Sequence, residues 1–215
     1  MCRFLLIKSK NAIQPKKLLN EFALMCKNNS EWQGDGWGLS WKVEDGEWKI
    51  DKSVKPIWEE SERFNAFPKS HMFAIHARGA SFPKHKDNID FNQPYISNDL
   101  CFVFNGELYG VTLKADGAIG SQKIFSLVKQ NLDKNNPIQT LQKVQDMLLK
   151  NSKSILGCNI GFIYENGLYA SCNFSDKKEY YTVRYYSDEQ FSIICSEKIS
   201  NYPWKSMKNG EVIKL

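Results

Sequence analysis

The first two residues hold the atoms of a nucleophile that carries its own base. If Met1 is removed, Cys2 bears a thiol and a free α-amine on one carbon. A thiol has a reference pKa of about 8.5 and an α-amine one of about 7.7 to 8.0, so part of the amine is unprotonated near neutral pH. The amine can then take the thiol proton as a general base. The alternative interpretation is an ordinary buried cysteine that packs as a small hydrophobe.

A second candidate is Arg78, at the end of a strand predicted for residues 72–78. Alternate residues of a strand share a face, so His76 and Arg78 point the same way. A guanidinium there can hold a carboxylate through paired hydrogen bonds that a lysine does not reproduce. A surface salt bridge is the alternative. His71 and His76 fall on opposite faces and His85 in a lysine-rich loop, which argues against a metal site.

Two glycine motifs add main-chain groups to this set. A strand predicted for residues 100–104 ends at Asn105-Gly106, where an amide side chain and an accessible N–H can form an oxyanion hole. Asn-Gly is also a common turn signal, so a simple turn is the alternative. The run from Gly34 to Gly38 permits positive φ and close backbone approach. A hairpin turn with an aromatic anchor would explain that run equally well.

Composition indicates one globular domain over residues 1–215. The hydrophobic fraction of 42% and the aromatic fraction of 13% argue against global disorder. The net charge is +5, but the basic residues are 25 lysines and only four scattered arginines. Recognition of bases and phosphates depends on arginine, so the charge indicates a solvated lysine-rich surface, with nucleic-acid binding as a weak alternative.

The cysteine pattern and hydropathy bear on the compartment. The six cysteines form no CxxC pair, so their spacing supports neither a zinc site nor a redox motif. The apolar run after Arg3 is too short for a signal peptide, and no stretch approaches the roughly 18 apolar residues of a membrane span. The sequence therefore predicts a cytoplasmic, reduced protein without membrane association, which suits a working thiol.

The predicted elements place these candidates at the ends of strands. A buried strand over residues 3–7 puts Cys2 at its head, and Pro15 opens an amphipathic helix. A hairpin joins Trp41 to Trp48. The other predicted helices are residues 56–64, 121–132 and 137–149, and the other strands are residues 160–164, 168–172, 180–186, 191–195 and 211–215.

Five motifs occur in order over almost the whole chain. They are Met1-Cys2-Arg3-Phe4, Gly34-Asp35-Gly36-Trp37-Gly38, His76-Ala77-Arg78-Gly79-Ala80-Ser81, Asn105-Gly106-Glu107-Leu108 and Cys195-Ser196-Glu197. Together they resemble class II glutamine amidotransferase domains of the N-terminal nucleophile hydrolase type. The nearest branch is the stand-alone one that begins Met-Cys-Arg-Phe and includes amidohydrolases of glutathione breakdown and ergothioneine synthesis. The resemblance implies an α+β fold, a four-layer αββα sandwich.

The resemblance also implies roles for particular residues. Cys2 would be the nucleophile, with its own α-amine as base, and the Asn105 side chain and Gly106 N–H would stabilise the oxyanion. Arg78, with Gly79 and Ser81 beside it, would bind the substrate's α-carboxylate. The implied reaction is hydrolysis of the γ-amide of glutamine or of another γ-glutamyl compound through a thioester. It releases ammonia or an amine and then glutamate, without cofactor or metal.

The sequence departs from this family at the substrate's amino end. The family usually has an acidic residue that grips the α-ammonium just before Ser121, where this chain has Gly120. Asp116 could substitute for that acid. The alternative interpretation is a non-catalytic relative that binds a γ-glutamyl ligand or a partner protein. For an enzyme, either a separate synthase subunit accepts the ammonia or the protein simply hydrolyses a small γ-glutamyl substrate, and we favour simple hydrolysis.

Overall fold

The computed structural model describes all 215 residues, in twelve strands, four α-helices and four short 3₁₀ helices. The strands are β1 (Arg3–Ile13), β2 (Trp37–Lys42), β3 (Trp48–Ser53), β4 (Ser70–Ala77), β5 (Tyr95–Ser97), β6 (Leu100–Tyr109), β7 (Ser154–Tyr164), β8 (Gly167–Ser171), β9 (Arg184–Ser187), β10 (Phe191–Cys195), β11 (Lys205–Ser206) and β12 (Val212–Lys214). The α-helices are α1 (Lys16–Lys27), α2 (Gly120–Asn131), α3 (Pro137–Lys150) and α4 (Lys178–Tyr181).

The strands form two antiparallel sheets that pack face to face. Sheet A has the order β11-β9-β10-β1-β4-β2-β3, and sheet B has the order β12-β8-β7-β6-β5. Helix α1 covers the outer face of sheet A, helices α2 and α3 cover the outer face of sheet B, and a third core lies between the sheets. The predicted four-layer αββα sandwich is thereby confirmed.

Strand β1 lies at the centre of sheet A because its residues are apolar on both faces. Leu5 and Ile7 face α1, whereas Phe4 and Leu6 face sheet B. Each such side chain contributes about 1.5–3 kcal/mol when it is fully buried. A slip of one residue would exchange the two faces, so the packing fixes the register of the strand. Cys2, directly before β1, is therefore held at one end of the sandwich.

The long helices agree with the sequence prediction. Helix α1 follows Pro15 as predicted, and its apolar face of Leu18, Leu19, Phe22 and Cys26 is buried. Helices α2 and α3 begin and end within one residue of the predicted bounds, and both bury an apolar face against sheet B. The amphipathic pattern is sufficient here because each helix packs on a single sheet face.

Two local predictions were wrong. Strand β6 does not stop before Asn105-Gly106 but continues through it, because strand β7 supplies the partners Asn159 and Cys158. The segment predicted as a strand from residue 180 begins instead with helix α4, and β9 starts only at Arg184. The helix predicted for residues 56–64 is present as two short 3₁₀ helices.

The hairpins and the closing strand were predicted correctly. The β2–β3 hairpin pairs Trp41 with Lys49, β7 and β8 form a second hairpin, and β12 extends sheet B beside β8.

None of the helices combines the length and apolar character needed to cross a bilayer.

Candidate active site

The candidate nucleophile lies in the wall of a cleft at one end of the sandwich. Cys2 is half-buried, and its Sγ lies 3.7 Å from the carbonyl oxygen of Gly79. The cleft encloses about 320 Å³, and Cys2, Arg78 and Gly106 all line it. The other five cysteines are buried. One of them, Cys101, lies in strand β6 of sheet B. Burial raises the pKa of Cys101 to about 12, so its side chain is a neutral thiol at pH 7.

The main chain at Cys2 is anchored from the C-terminal half of the protein. The hydroxyl of Tyr180 donates to the Cys2 carbonyl oxygen at 3.0 Å. The guanidinium of Arg3 lies 3.7 Å above the Tyr180 ring and donates to the carbonyl oxygens of Tyr180 and Ser196, each at 2.8 Å. It also pairs with Glu197 at 3.5 Å. These contacts fix the chain at the Cys2 carbonyl and at Arg3, which follows it.

Met1 sits beside the nucleophile. Its amine donates to the Trp32 carbonyl oxygen at 3.3 Å, and its Sδ accepts the Tyr181 hydroxyl at 2.7 Å. A Cβ at Gly79 would overlap the Trp32 carbonyl oxygen as well as the Met1 backbone, so glycine is required at that point with or without Met1. With Met1 in place the Cys2 nitrogen belongs to a peptide bond, and removal of Met1 would turn it into a free amine.

The Arg78 side chain is buried and its direction is fixed. Its guanidinium donates to the carbonyl oxygens of His85 at 2.8 Å and Lys86 at 3.3 Å, and to the Asn92 Oδ1 at 3.2 Å. It lies 5.7 Å from the centre of the Phe91 ring. A guanidinium has five N–H donors, so these three bonds leave others for a ligand in the cleft.

Asn105 and Gly106 lie inside β6 and differ in their access to the cleft. Gly106 lines it, and a Cβ at this position would overlap the Gly157 carbonyl oxygen. Asn105 is fully buried, and neither its amide nitrogen nor its amide oxygen has a hydrogen-bond partner. Such unpaired buried groups cost about 1–3 kcal/mol and call for an explanation, of which a catalytic role is one.

Asp35, from the glycine-rich run, supports the chain segment that carries Arg78 and Ala80. Its carboxylate accepts the Ala80 N–H at 2.8 Å and the Trp32 indole N–H at 3.0 Å, and it lies 3.5 Å from the Lys86 ammonium. The main chain of this run also pairs with Arg78, whose N–H donates to the Gly36 carbonyl oxygen at 2.8 Å. The run is therefore a support for the Arg78 segment rather than a free hairpin turn.

The remaining predicted residues divide into two groups. Gly79 and Ser81 line the cleft together with Cys2. Asp116 is exposed and lies outside the cleft lining, although the start of α2 at Gly120 belongs to it. Among the lining residues the only carboxylate is that of Glu107.

His76 is close to the site but is not an acid or a base at neutral pH. It is fully buried. Burial lowers the pKa of His76 to about 3. The Phe104 backbone acts against this shift, and the positive charges of Arg78, Lys52 and the N-terminus act with it. The imidazole is therefore neutral, and it is not among the groups that line the cleft.

Sequence reasoning assigned no role to several residues that organise this site. Tyr180 holds the Cys2 carbonyl, and Asn92 holds the Arg78 guanidinium. Gln93 bonds to both main-chain groups of Phe104, directly before Asn105. The sequence carries no local signal for Tyr180. Asn92 and Gln93 lie in the stretch Phe91-Asn92-Gln93-Pro94-Tyr95, which partly resembles the Asn-x-His-Pro-Phe stretch of the family that the sequence resembles.

Comparisons with known proteins define the fold. No protein-family model and no curated protein sequence matches the chain. A glutamine aminotransferase class-II domain protein from Silicibacter pomeroyi is similar in structure, with a TM-score of 0.66 and 15% identity over 99% of this chain and 94% of that one. A predicted glutamine amidotransferase from Pseudomonas aeruginosa gives a TM-score of 0.54 and 12% identity over 100% of this chain and 93% of that one.

A larger protein contains the same architecture as one part of its length. Glutamine phosphoribosylpyrophosphate amidotransferase from B. subtilis aligns with a TM-score of 0.71 and 12% identity. The match covers 99% of this chain but only 47% of that protein. The chain therefore has the αββα fold of class II glutamine amidotransferase domains, with Cys2 at the head of a central strand.

Proposed function

We propose that this protein is an N-terminal cysteine amidohydrolase that cleaves the γ-amide of glutamine or of a γ-glutamyl compound. The observation that carries the proposal is that Cys2, Arg78 and Gly106, which are far apart in the sequence, line one cleft. A volume of about 320 Å³ is at the small end of ligand sites, which span about 300–1,000 Å³. It suits a substrate of amino-acid or dipeptide size.

In the proposed reaction the Cys2 thiol gives its proton to its own α-amine as the sulfur attacks the amide carbon. The carbonyl oxygen becomes an oxyanion, which the Asn105 amide and the Gly106 N–H stabilise. The C–N bond then breaks, and the α-ammonium returns the proton to the leaving nitrogen, which departs as ammonia or an amine. Water, deprotonated by the same amine, attacks the thioester and releases glutamate and the free thiol.

Arg78 supplies substrate recognition in this proposal. Its guanidinium would hold the α-carboxylate while Gly79 and Ser81 form the adjoining rim. The fixed bonds to His85 and Asn92 mean that the guanidinium does not have to be ordered when the substrate binds. We infer direct hydrolysis of a small γ-glutamyl compound, with transfer of ammonia to a separate synthase subunit as the second possible use.

The test combines intact mass measurement with an assay. We expect the purified protein to lack Met1, and a diazo-oxo-norleucine label to add to Cys2 at one equivalent per chain. Hydrolysis of γ-glutamyl amides should fall about 10³-fold or more in Cys2→Ala, because the covalent step is lost.

The matched control is Cys101→Ala, which removes a fully buried thiol from the core between the sheets. It should retain activity and labelling. Retention of Met1 in active protein, or equal activity in Cys2→Ala, would refute the proposal.

A further inference from the structure

Gln93 grips the main chain at the residue directly before the proposed oxyanion donors. Its Oε1 accepts the Phe104 N–H at 2.6 Å, and its Nε2 donates to the Phe104 carbonyl oxygen at 3.3 Å. Strand β5 pairs with β6 only as far as Phe102, through Tyr95. The Gln93 side chain therefore extends the hydrogen-bond ladder of β6 beyond Tyr95, the first residue of β5. It is buried, with 3% of its surface exposed.

The neighbouring side chain, Asn92, holds the other half of the site. Its Oδ1 accepts the Arg78 guanidinium at 3.2 Å, and its Nδ2 donates to the Ser53 carbonyl oxygen at 2.7 Å. It is fully buried. Two consecutive side chains thus reach in different directions, one to the carboxylate clamp and one to the strand that carries Asn105 and Gly106.

The glycine-rich run makes room for this pair. A Cβ at Gly36 would overlap the Asn92 amide, and the φ of +114° at Gly36 also disfavours any other residue. A Cβ at Gly38 would overlap the Gln93 carbonyl oxygen. Larger residues at either glycine would push the pair away from β2, so these glycines seat the segment that spans the two halves of the site.

We propose that Asn92 and Gln93 are positioning residues that set the Arg78 clamp and the oxyanion donors at a fixed separation. The inference rests on the proposed amide hydrolysis and assigns the two residues different roles in it. Gln93 acts on the transition state, since it fixes the peptide that leads into Asn105. Asn92 acts on substrate binding, since it orients the guanidinium.

The experiment compares Gln93→Leu with Asn92→Leu in steady-state hydrolysis of a γ-glutamyl amide. Displaced oxyanion donors lower kcat by about 10²-fold, so Gln93→Leu should lose kcat on that scale with KM within about threefold of wild type. Asn92→Leu should raise KM about tenfold with kcat nearly unchanged. Alkylation of Cys2 by iodoacetamide needs no oxyanion hole, so its rate should be unchanged in both variants.

A matched control and a conservative variant separate positioning from folding. Gln145→Leu makes the same change at a buried glutamine of α3 and should leave both constants unchanged. In Gln93→Glu only the protonated carboxyl can both accept from the N–H and donate to the carbonyl oxygen of Phe104. Its activity relative to wild type should therefore recover as the pH falls.

The outcomes are distinct. If wild type hydrolyses the amide and Gln93→Leu keeps full kcat, or if Gln93→Glu shows no recovery at low pH, the inference is wrong while the proposed function stands. The same holds if both leucine variants change kcat and KM together. If wild type hydrolyses no γ-amide and diazo-oxo-norleucine leaves Cys2 unlabelled, the proposed function fails and this inference fails with it.

Discussion

The two walls of the cleft are built very differently. On one wall Tyr180 holds Cys2 and Asn92 holds Arg78, so the proposed nucleophile and the proposed carboxylate clamp each have a dedicated side-chain contact. The opposite wall is the start of α2, where Ile119 makes no side-chain cap and Gly120 is exposed with open space around it. If the proposed function is right, the cleft is arranged to bind a carbonyl and a carboxylate, and its α2 side offers much less to an ammonium.

The largest expected effect on the wall that carries Cys2 and Arg78 comes from Arg78→Lys. A lysine keeps the charge but cannot reproduce the planar fork or the bonds to His85 and Asn92. Charged hydrogen bonds contribute about 1.5–3 kcal/mol each, so KM for a γ-glutamyl amide should rise about 10- to 100-fold. Arg63→Lys, at a pair with Asp51 outside the cleft, is the control and should leave KM unchanged. An unaltered KM in Arg78→Lys would remove this residue from substrate binding.

The wall at the start of α2 can be tested by introducing an acidic residue at Gly120. A Cβ at Gly120 meets nothing within 4 Å, so aspartate fits there, and an acid in the first turn of α2 also suits the helix dipole. If the substrate's α-ammonium lies at this end, Gly120→Asp should raise kcat/KM for free glutamine about tenfold, the factor expected for about 1.4 kcal/mol of ion pairing.

Gly120→Asn separates charge from shape in this prediction. It has the same size and no charge, so it should leave kcat/KM for glutamine at the wild-type value. Equal gains in Gly120→Asp and Gly120→Asn would show that the α-ammonium does not face α2. The two walls would then not divide the work between carboxylate and ammonium.

A smaller effect is expected from Tyr180→Phe, on the wall that carries Cys2 and Arg78. Burial raises the pKa of Tyr180, so its hydroxyl stays protonated and donates to Cys2 at neutral pH. Phenylalanine loses that bond, worth about 1 kcal/mol, but keeps the ring under Arg3. We expect kcat to fall a few-fold with KM constant and with little change in melting temperature. A loss of Tm without any change in kcat would make the contact purely structural.

Sequence reasoning found the groups that are written as local motifs. Cys2 directly precedes β1, Arg78 directly follows β4, and Gly106 belongs to an Asn-Gly pair. The apolar periodicity located their strands and the long helices, although it ended β6 too early. The residues that hold these groups in place could not be identified from local sequence patterns. Tyr180 and Cys2 are 178 residues apart, and no local pattern records a contact of that span.

The error at Asn105-Gly106 has the same origin. The dipeptide has a strong local preference for a turn, yet β7 lies alongside and pairs with it, and the pairing decides the outcome. Gln93 shows the reverse case, since a residue outside any strand completes a ladder through its side chain. Local propensity therefore identified the groups that could react, whereas long-range packing determined what holds them.

His76 gives the smallest expected effect on activity, because it does not line the cleft, and its effect falls on the pH dependence of stability. Its pKa is lowered to about 3 in the folded protein, mainly by burial, whereas a histidine in the unfolded chain titrates near its usual value of about 6.5. Between these values the unfolded chain binds the extra proton, so folding stability falls as the pH drops below about 6.5. The slope from this one group is about 1.4 kcal/mol per pH unit. His76→Asn does not titrate, so denaturant unfolding at pH 7, 6 and 5 should show a shallower loss of stability than in wild type. Parallel slopes would mean that the pKa of His76 is the same in the folded and unfolded states, and the buried imidazole would then not be held neutral by its surroundings.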